Sequence, residues 1–353
     1  MEFRSHTLAN GLEIVAEVNS EAYSTALGFF VRTGSRDETP AEAGVSHFLE
    51  HMVFKGTATR TADDVNREFD ELGAHYNACT SEENTIFYAT VLPEYQDQTA
   101  ALLADVLRPS LRREDFDTEK QVILEEISMY EDMPPFGADD KCRAAFFGNH
   151  PLANSVLGTA ESITQLTNDA MRDYVARRYG PGNVVLVAAG RIDFDALVRT
   201  IGQICGSWPA IAAEPSVGPF EPVEQFLLVE KKMATQQYVV QLAPGPAAES
   251  DDRYAARLLA TVLGDELGSR LYWELVDSGL AEHASLNHCE FQGAGAMMTY
   301  LCCSPEAIED NLQRVRDLYL RAEQDGITEE ELRQAKNKVR SRVVLSGERP
   351  RGR

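Results

Sequence analysis

The sequence predicts an α+β protein built as two related α/β-sandwich halves, each a mostly antiparallel sheet flanked by helices. Three observations lead there. Short apolar runs of strand character alternate with stretches of helical period along the chain. The order strand, strand, helix occurs twice, first in LEIVAEV, ALGFFVR and AGVSHFLEHMVF, then in QFLLVEK, QQYVVQLA and DDRYAARLLATVLG. The 353 residues, 44% hydrophobic and 25% charged, have a soluble globular composition and suffice for about two ordinary domains.

Taken in order, LANGLEIVAEV carries Asn10-Gly11 as a tight-turn signal, and ALGFFVRTGS reads as the next strand. Thr39-Pro40 is expected to open a helix that runs through His47 and His51 to about Phe54. A second helix near Ala62–Leu72 precedes two strands, AHYNACTS and NTIFYATVL. Helices are expected over 95–107, 114–132, 136–147 and 167–178, then a buried strand in GNVVLVAAG and a helix in IDFDALVRTIGQI. WPAIAAEPSVGPFEP is rich in Pro, Ala and Gly and lacks periodicity. It reads as a linker, 208–222, between a catalytic domain at 1–207 and a second, non-catalytic homologous domain at 223–353. In the second copy the helix carries Leu258, Leu259 and Val262, with no His or Glu where the first has them.

The balance of 33 basic against 56 acidic residues, a formal charge of −23, argues against nucleic acid or an anionic membrane as partner. The first residues read straight into a strand rather than a signal peptide, and no apolar run approaches the roughly 20 residues that span a bilayer. The six cysteines show no Cys-x-x-Cys spacing and read as reduced thiols of a cytoplasmic protein.

The chemistry concentrates in His47-Phe48-Leu49-Glu50-His51. At about 100° per residue, Val45, Phe48, Leu49 and Met52 cover one side of a helix. His47, Glu50 and His51 share the other. Two imidazoles at i and i+4 suit chelation of one zinc ion, and Glu50 is better placed to take a proton from water than to be a third ligand. A solvated face with two incidental histidines would look the same, so the motif needs a third ligand. The candidate lies in REDFDTEKQVILEEISMYEDM, where Phe116, Val122, Ile123, Ile127 and Tyr130 form an apolar face. Glu119 and Glu126 project from that face two turns apart, while Glu125 points to solvent. Carboxylates among apolar side chains cost several kcal/mol unless a cation or donors receive them. A helix rotated to bring both to water would remove that cost. Glu126 is assigned as the third ligand and Glu119 as a carboxylate supporting a ligand. Two His, one carboxylate and an open position form a catalytic zinc pattern, one Zn2+ per chain, rather than a structural one.

On these residues the chain resembles the inverzincin metallopeptidases, the pitrilysin or insulinase-like M16 family that includes mitochondrial processing peptidase. His47 to His51 matches the family's His-x-x-Glu-His, and Glu119 and Glu126 match its Glu-x6-Glu. The resemblance implies a clamshell half and a zinc-dependent metalloendopeptidase acting on peptides or unfolded segments. It implies that Asn77 supports the site while Ala78 and Cys79 lie on an edge strand that pairs with substrate backbone. Because the family's active unit has four similar domains, it also implies a homodimer or a heterodimer with a sister subunit. The second half departs from the pattern. Glu282 follows Gly279-Leu280-Ala281 where a Tyr is usual, with no Arg seven residues earlier, and the second domain is expected to be incomplete at its C-terminus. A non-catalytic or partner-dependent subunit of a processing-peptidase-like complex is the alternative. A zinc hydrolase of small amides would share the same ligands.

Overall fold

The structure is a computed structural model that describes residues 1–211, 213, 217–348 and 352; part of the expected linker, at 212 and 214–216, lies outside the described residues. The chain forms two compact units, one gathering Met1–Ser128 and Asn154–Ser216, the other Met129–Ala153 and Val217–Leu345.

The first unit is built on a six-stranded sheet. Its strands are β1 (Glu2–Thr7), β2 (Glu13–Val18), β3 (Thr25–Val31), β4 (His75–Thr80), β5 (Thr85–Val91) and β6 (Val184–Gly190). Their order is β1-β2-β6-β3-β5-β4, and every pairing is antiparallel except the parallel β2–β6. In β5 the buried Thr85, Phe87, Ala89 and Val91 alternate with half-exposed residues, the period-two signature of a strand with one covered face. The helices are α1 (Val45–Val53), α2 (Ala62–Glu71), α3 (Gln96–Val106), α4 (Arg113–Asp132), α6 (Ala160–Gln165), α7 (Asn168–Arg178) and α8 (Phe194–Cys205), with α5 (Ala138–Phe147) in the second unit. Helix α3 packs on β3 and β5, α8 on β2, and α3 and α8 on each other.

The helix bearing the two histidines starts later than Thr39-Pro40 suggests. A single 3-10 turn over Pro40–Glu42 comes first, and Gly44 then takes φ 89° before α1 begins at Val45. The backbone is fixed there by Glu38, whose carboxylate accepts the N–H of Gly44 at 2.6 Å and that of Ser46 at 2.8 Å. These are N–H groups with no partner inside the helix. Burial pushes the Glu38 pKa up to about 8 against the pull of those two donors. The Ser46 hydroxyl shares a 2.7 Å hydrogen bond with Tyr174 of α7, so the start of α1 is held from two sides.

Helix α4 is brought to α1 by apolar and backbone ties. The rings of Phe48 and Phe116 stack with centroids 4.7 Å apart. After α1, the carbonyls of Lys55 and Gly56 accept from Arg112 Nη2 (2.5 Å) and the Ser110 N–H (3.0 Å), just before α4. On α4 itself Phe116, Ile123 and Ile127 are buried as the period requires, but Val122 and Tyr130, expected on the same face, are 43% and 54% exposed. Val122 lies at the margin of that face, whereas Tyr130 lies on it but near the C-terminal end of the helix. Helix α6 was not expected; its six residues are too few to show a period, and only the Thr159–Ser162 cap marks it.

The second unit repeats part of this plan. Strands β7 (Gln237–Pro244), β8 (His283–Phe291) and β9 (Ala294–Cys303) form an antiparallel sheet in the order β7-β9-β8, matching β3-β5-β4. Helix α9 (Asp252–Gly264) stands where α1 does, and α10 (Ile308–Asp325) and α11 (Glu329–Gly347) follow. QFLLVEK is not a strand, and Phe226 and Leu228 are 86% and 73% exposed. In the first unit β2 reaches β3 only through β6, and among the described residues β7 has no such neighbour for QFLLVEK to join. Ion pairs fix α11: Asp265 accepts from Lys338 (2.8 Å) and Arg342 (2.6 Å), and Arg270 holds Glu331 at 2.7 Å.

Two outcomes follow for stability. Gly44→Ala places a Cβ 2.7 Å from Leu157 O and from Ile163 Cδ1 at a left-handed position. It should cost about 2 kcal/mol or more, read as a lower calorimetric midpoint. For the second unit, the Arg270 hydrogen bond holds the Glu331 pKa at about 2, below its unfolded value. The stability this contributes is therefore full above the unfolded carboxyl pKa and is lost as pH falls toward 2. Arg270→Leu should lower the unfolding midpoint at pH 7, and the gap to the parent should narrow in a pH series run down to 2.

Candidate metal centre

Helices α1 and α4 face each other across the stacked phenylalanines, and their polar residues meet beside that contact. Nε2 of His47 and Nε2 of His51 each lie 3.7 Å from Oε2 of Glu126. The three ligating atoms fall within 4.8 Å of one another, the only such group of His, Cys, Asp or Glu among the described residues. A tetrahedral zinc with bonds of about 2.0–2.2 Å needs ligand atoms roughly 3.3–3.6 Å apart, so this set fits the ion with small adjustments. His47 is 8% exposed, and burial followed by the neighbouring His51 lowers its pKa to about 4. It is therefore neutral at pH 7, with a lone pair free to bind a metal.

Behind His51 stands Glu119, only 5% exposed. Its Oε1 lies 2.9 Å from His51 Nδ1 and its Oε2 accepts from Lys55 Nζ at 2.6 Å. With Nδ1 assigned as the protonated nitrogen, Nε2 of His51 is left as an acceptor facing Glu126. Burial works to raise the Glu119 pKa, but the hydrogen bonds from Lys55 and His51 outweigh it and bring it below the usual value. His47 has no such support: its Nδ1 is buried without a partner among the described residues. Glu126 is shifted the other way. Burial raises its pKa, the Glu50 charge adds to this and His51 opposes it. A divalent cation among these groups would reverse that shift, because its charge favours the carboxylate form.

Glu50 lies half-buried on the same face of α1, and its Oε2 accepts from the Thr80 hydroxyl at 2.6 Å. Strand β4 is the outer strand of the sheet, with β5 as its one partner. Ala78 is buried and Asn77 and Cys79 are exposed. The Asn77 side chain accepts the Ala78 N–H at 2.9 Å, and none of the three bonds to His47, Glu50, His51 or Glu126 among the described residues. The Cys79 thiol has its pKa raised by burial and by Glu50, the wrong direction for a nucleophile.

The structure thus brings His47, Glu50, His51, Glu119 and Glu126 together. It adds two residues that sequence reasoning passed over, Lys55 and Thr80. Lys55 had a weak signal, since it stands four residues after His51, just past the end of α1. Thr80 had none beyond following Cys79.

Removing the support behind the histidine should be visible in metal affinity. Glu119→Gln should weaken zinc binding about 10–100-fold, measured by competition with a chromophoric chelator. Glu126→Ala should abolish stoichiometric binding. Equal affinities in parent and both variants would contradict this arrangement.

Comparison with known proteins places these residues in context. Residues 13–160 match the family described as Insulinase (Peptidase family M16), and residues 165–339 match the Peptidase M16 inactive domain. An uncharacterized zinc protease of Mycobacterium leprae is 35% identical over 346 residues, covering 96% of this chain and 78% of that protein. One from Bacillus subtilis is 33% identical over 345 residues, 97% of this chain and 84% of that protein. Among solved structures, a protease from Helicobacter pylori superposes with a TM-score of 0.93 at 21% identity, over 99% of this chain and 87% of that one. With sequence matches of this extent, the chain belongs to the M16 peptidase family.

Proposed function

We propose that the protein is a zinc metalloendopeptidase that hydrolyses peptides or unfolded protein segments, with one zinc per chain. The observation that carries this is the convergence of His47, His51 and Glu126 within 4.8 Å, with Glu50 on the same helix face. When bound there, zinc supplies a Lewis acid that brings the pKa of water to about 7 and polarises a carbonyl. Glu50 takes the proton of the attacking water as its oxygen bonds to the scissile carbon. It then returns that proton to the amine nitrogen as the C–N bond breaks. Glu119, with Lys55 on its other oxygen, keeps the His51 ring turned toward Glu126.

Substrate is held in extended form along β4, at Asn77, Ala78 and Cys79, where the free edge offers backbone groups with little sequence preference. In this reading residues 1–207 form the zinc-bearing domain, 208–222 a linker and 223–353 a homologous domain without ligands of its own. Two chains form the active unit, as a homodimer or with a sister subunit. The relatives named zinc proteases support the peptidase role.

The test is cleavage of an unstructured peptide mixture by zinc-loaded protein, with native mass determined on the same sample. Wild type should cut. Glu50→Gln should retain zinc and lose at least about 100-fold in turnover, the lower end of what a positioned base supplies. Comparable turnover by Glu50→Gln would remove Glu50 from this role.

A further inference from the structure

The base of the proposed reaction is not held by its own helix. Glu50 stands on α1 with three rotatable side-chain bonds, and the one group that fixes its carboxylate is the Thr80 hydroxyl, at 2.6 Å from Oε2. A threonine has a single hydroxyl proton, and a bond of this length lies in the short range of about 2.5–2.7 Å typical of hydroxyl donors to carboxylates. Oε1 of Glu50 has no hydrogen-bond partner among the described residues. The two oxygens are thus divided: one is tied, one is open.

Thr80 is itself firmly placed. It pairs with Thr85 at the end of β4, just before the turn into β5, and Thr85 Oγ1 donates to Thr33 O at 2.9 Å. The turn is closed by the Ser81 N–H to Asn84 O bond at 2.8 Å, and the Ser35 and Arg36 N–H groups donate to Ser81 O and Glu82 O at 3.2 and 2.9 Å. Gly34 lies so close that a Cβ there would stand 2.2 Å from Ser81 O. The donor therefore has a rigid support, and the acceptor is the one flexible member of the pair.

We infer that Thr80 is a positioning residue for Glu50: by donating to Oε2 it holds the carboxylate so that Oε1 is the oxygen that receives the proton of the attacking water. This rests on the peptidase reading above and adds the link between the base and the strand proposed to carry substrate. Since Thr80 closes β4, a peptide aligned on that strand is aligned against the same element that holds the base.

The test compares Thr80→Val, which keeps the shape and removes the donor, with Thr80→Ser, which keeps the donor. Thr80→Val should lower kcat about 10–100-fold, part of the roughly 10²–10⁴-fold that a positioned base supplies, with KM within about twofold. Zinc content and affinity for a fluorescent extended peptide, both read without turnover, should match the wild type. Thr80→Ser should restore kcat to within a few-fold. In a Glu50→Gln background, Thr80→Val should cause no further fall, because the group it positions is gone. Wild-type turnover in Thr80→Val, an equal fall in the Glu50→Gln background, or a loss that follows zinc content would each overturn the inference alone. Failure of zinc-loaded wild type, shown by native mass to be a dimer, to cut any peptide would overturn the peptidase reading and this inference with it.

Discussion

The candidate metal centre depends on one buried carboxylate. Glu119 has apolar neighbours on its own helix face, and a charge in that position is tolerated only because both oxygens are received, one by His51 Nδ1 and one by Lys55 Nζ. The same two bonds determine which nitrogen of His51 is turned outward. A carboxylate and an ammonium, neither of which touches the candidate metal position, thereby orient a ring that does. The unsupported Nδ1 of His47 makes the contrast: that ring has packing and its approach to Glu126, with no acceptor behind it among the described residues.

For Glu119 to meet His51, α4 must lie against α1, although the two residues are 68 positions apart. The contact is made in layers. Phe48 on Phe116 supplies apolar area and a fixed crossing, and the carbonyls of Lys55 and Gly56 receive donors from the segment that starts α4. Glu38 and Tyr174 fix the other end of α1. A helix of nine residues has little stability of its own, so its exact position is a property of these neighbours.

The second unit shows what the plan becomes without the chemistry. Its strand order repeats that of the first, and α9 occupies the place of α1 with Leu258, Leu259 and Val262 in its sequence. Its half-buried acid, Asp265, is received by Lys338 and Arg342 and serves to seat α11. Arg270 is occupied by Glu331. The electrostatics there are those of helix docking, and the cations are spent within the unit.

What the sequence determined by itself was whatever depends on spacing along one element. The i, i+4 interval put both imidazoles and Glu50 on one face of α1, and the seven-residue interval put Glu119 and Glu126 on one face of α4. The cost of burying two carboxylates then made a cation the natural complement. The repeated order of strands and helices gave the two related halves by the same local logic. The tertiary structure decided whatever depends on a partner distant in the chain. That covers the delayed start of α1 at Val45 under Glu38, the exposure of Val122 and Tyr130 and the failure of QFLLVEK to become a strand. It covers, too, the recruitment of Lys55 to Glu119 and of Thr80 to Glu50. Periodicity states which way a side chain points from its own element; it carries no information about which group from another element will be there to receive it.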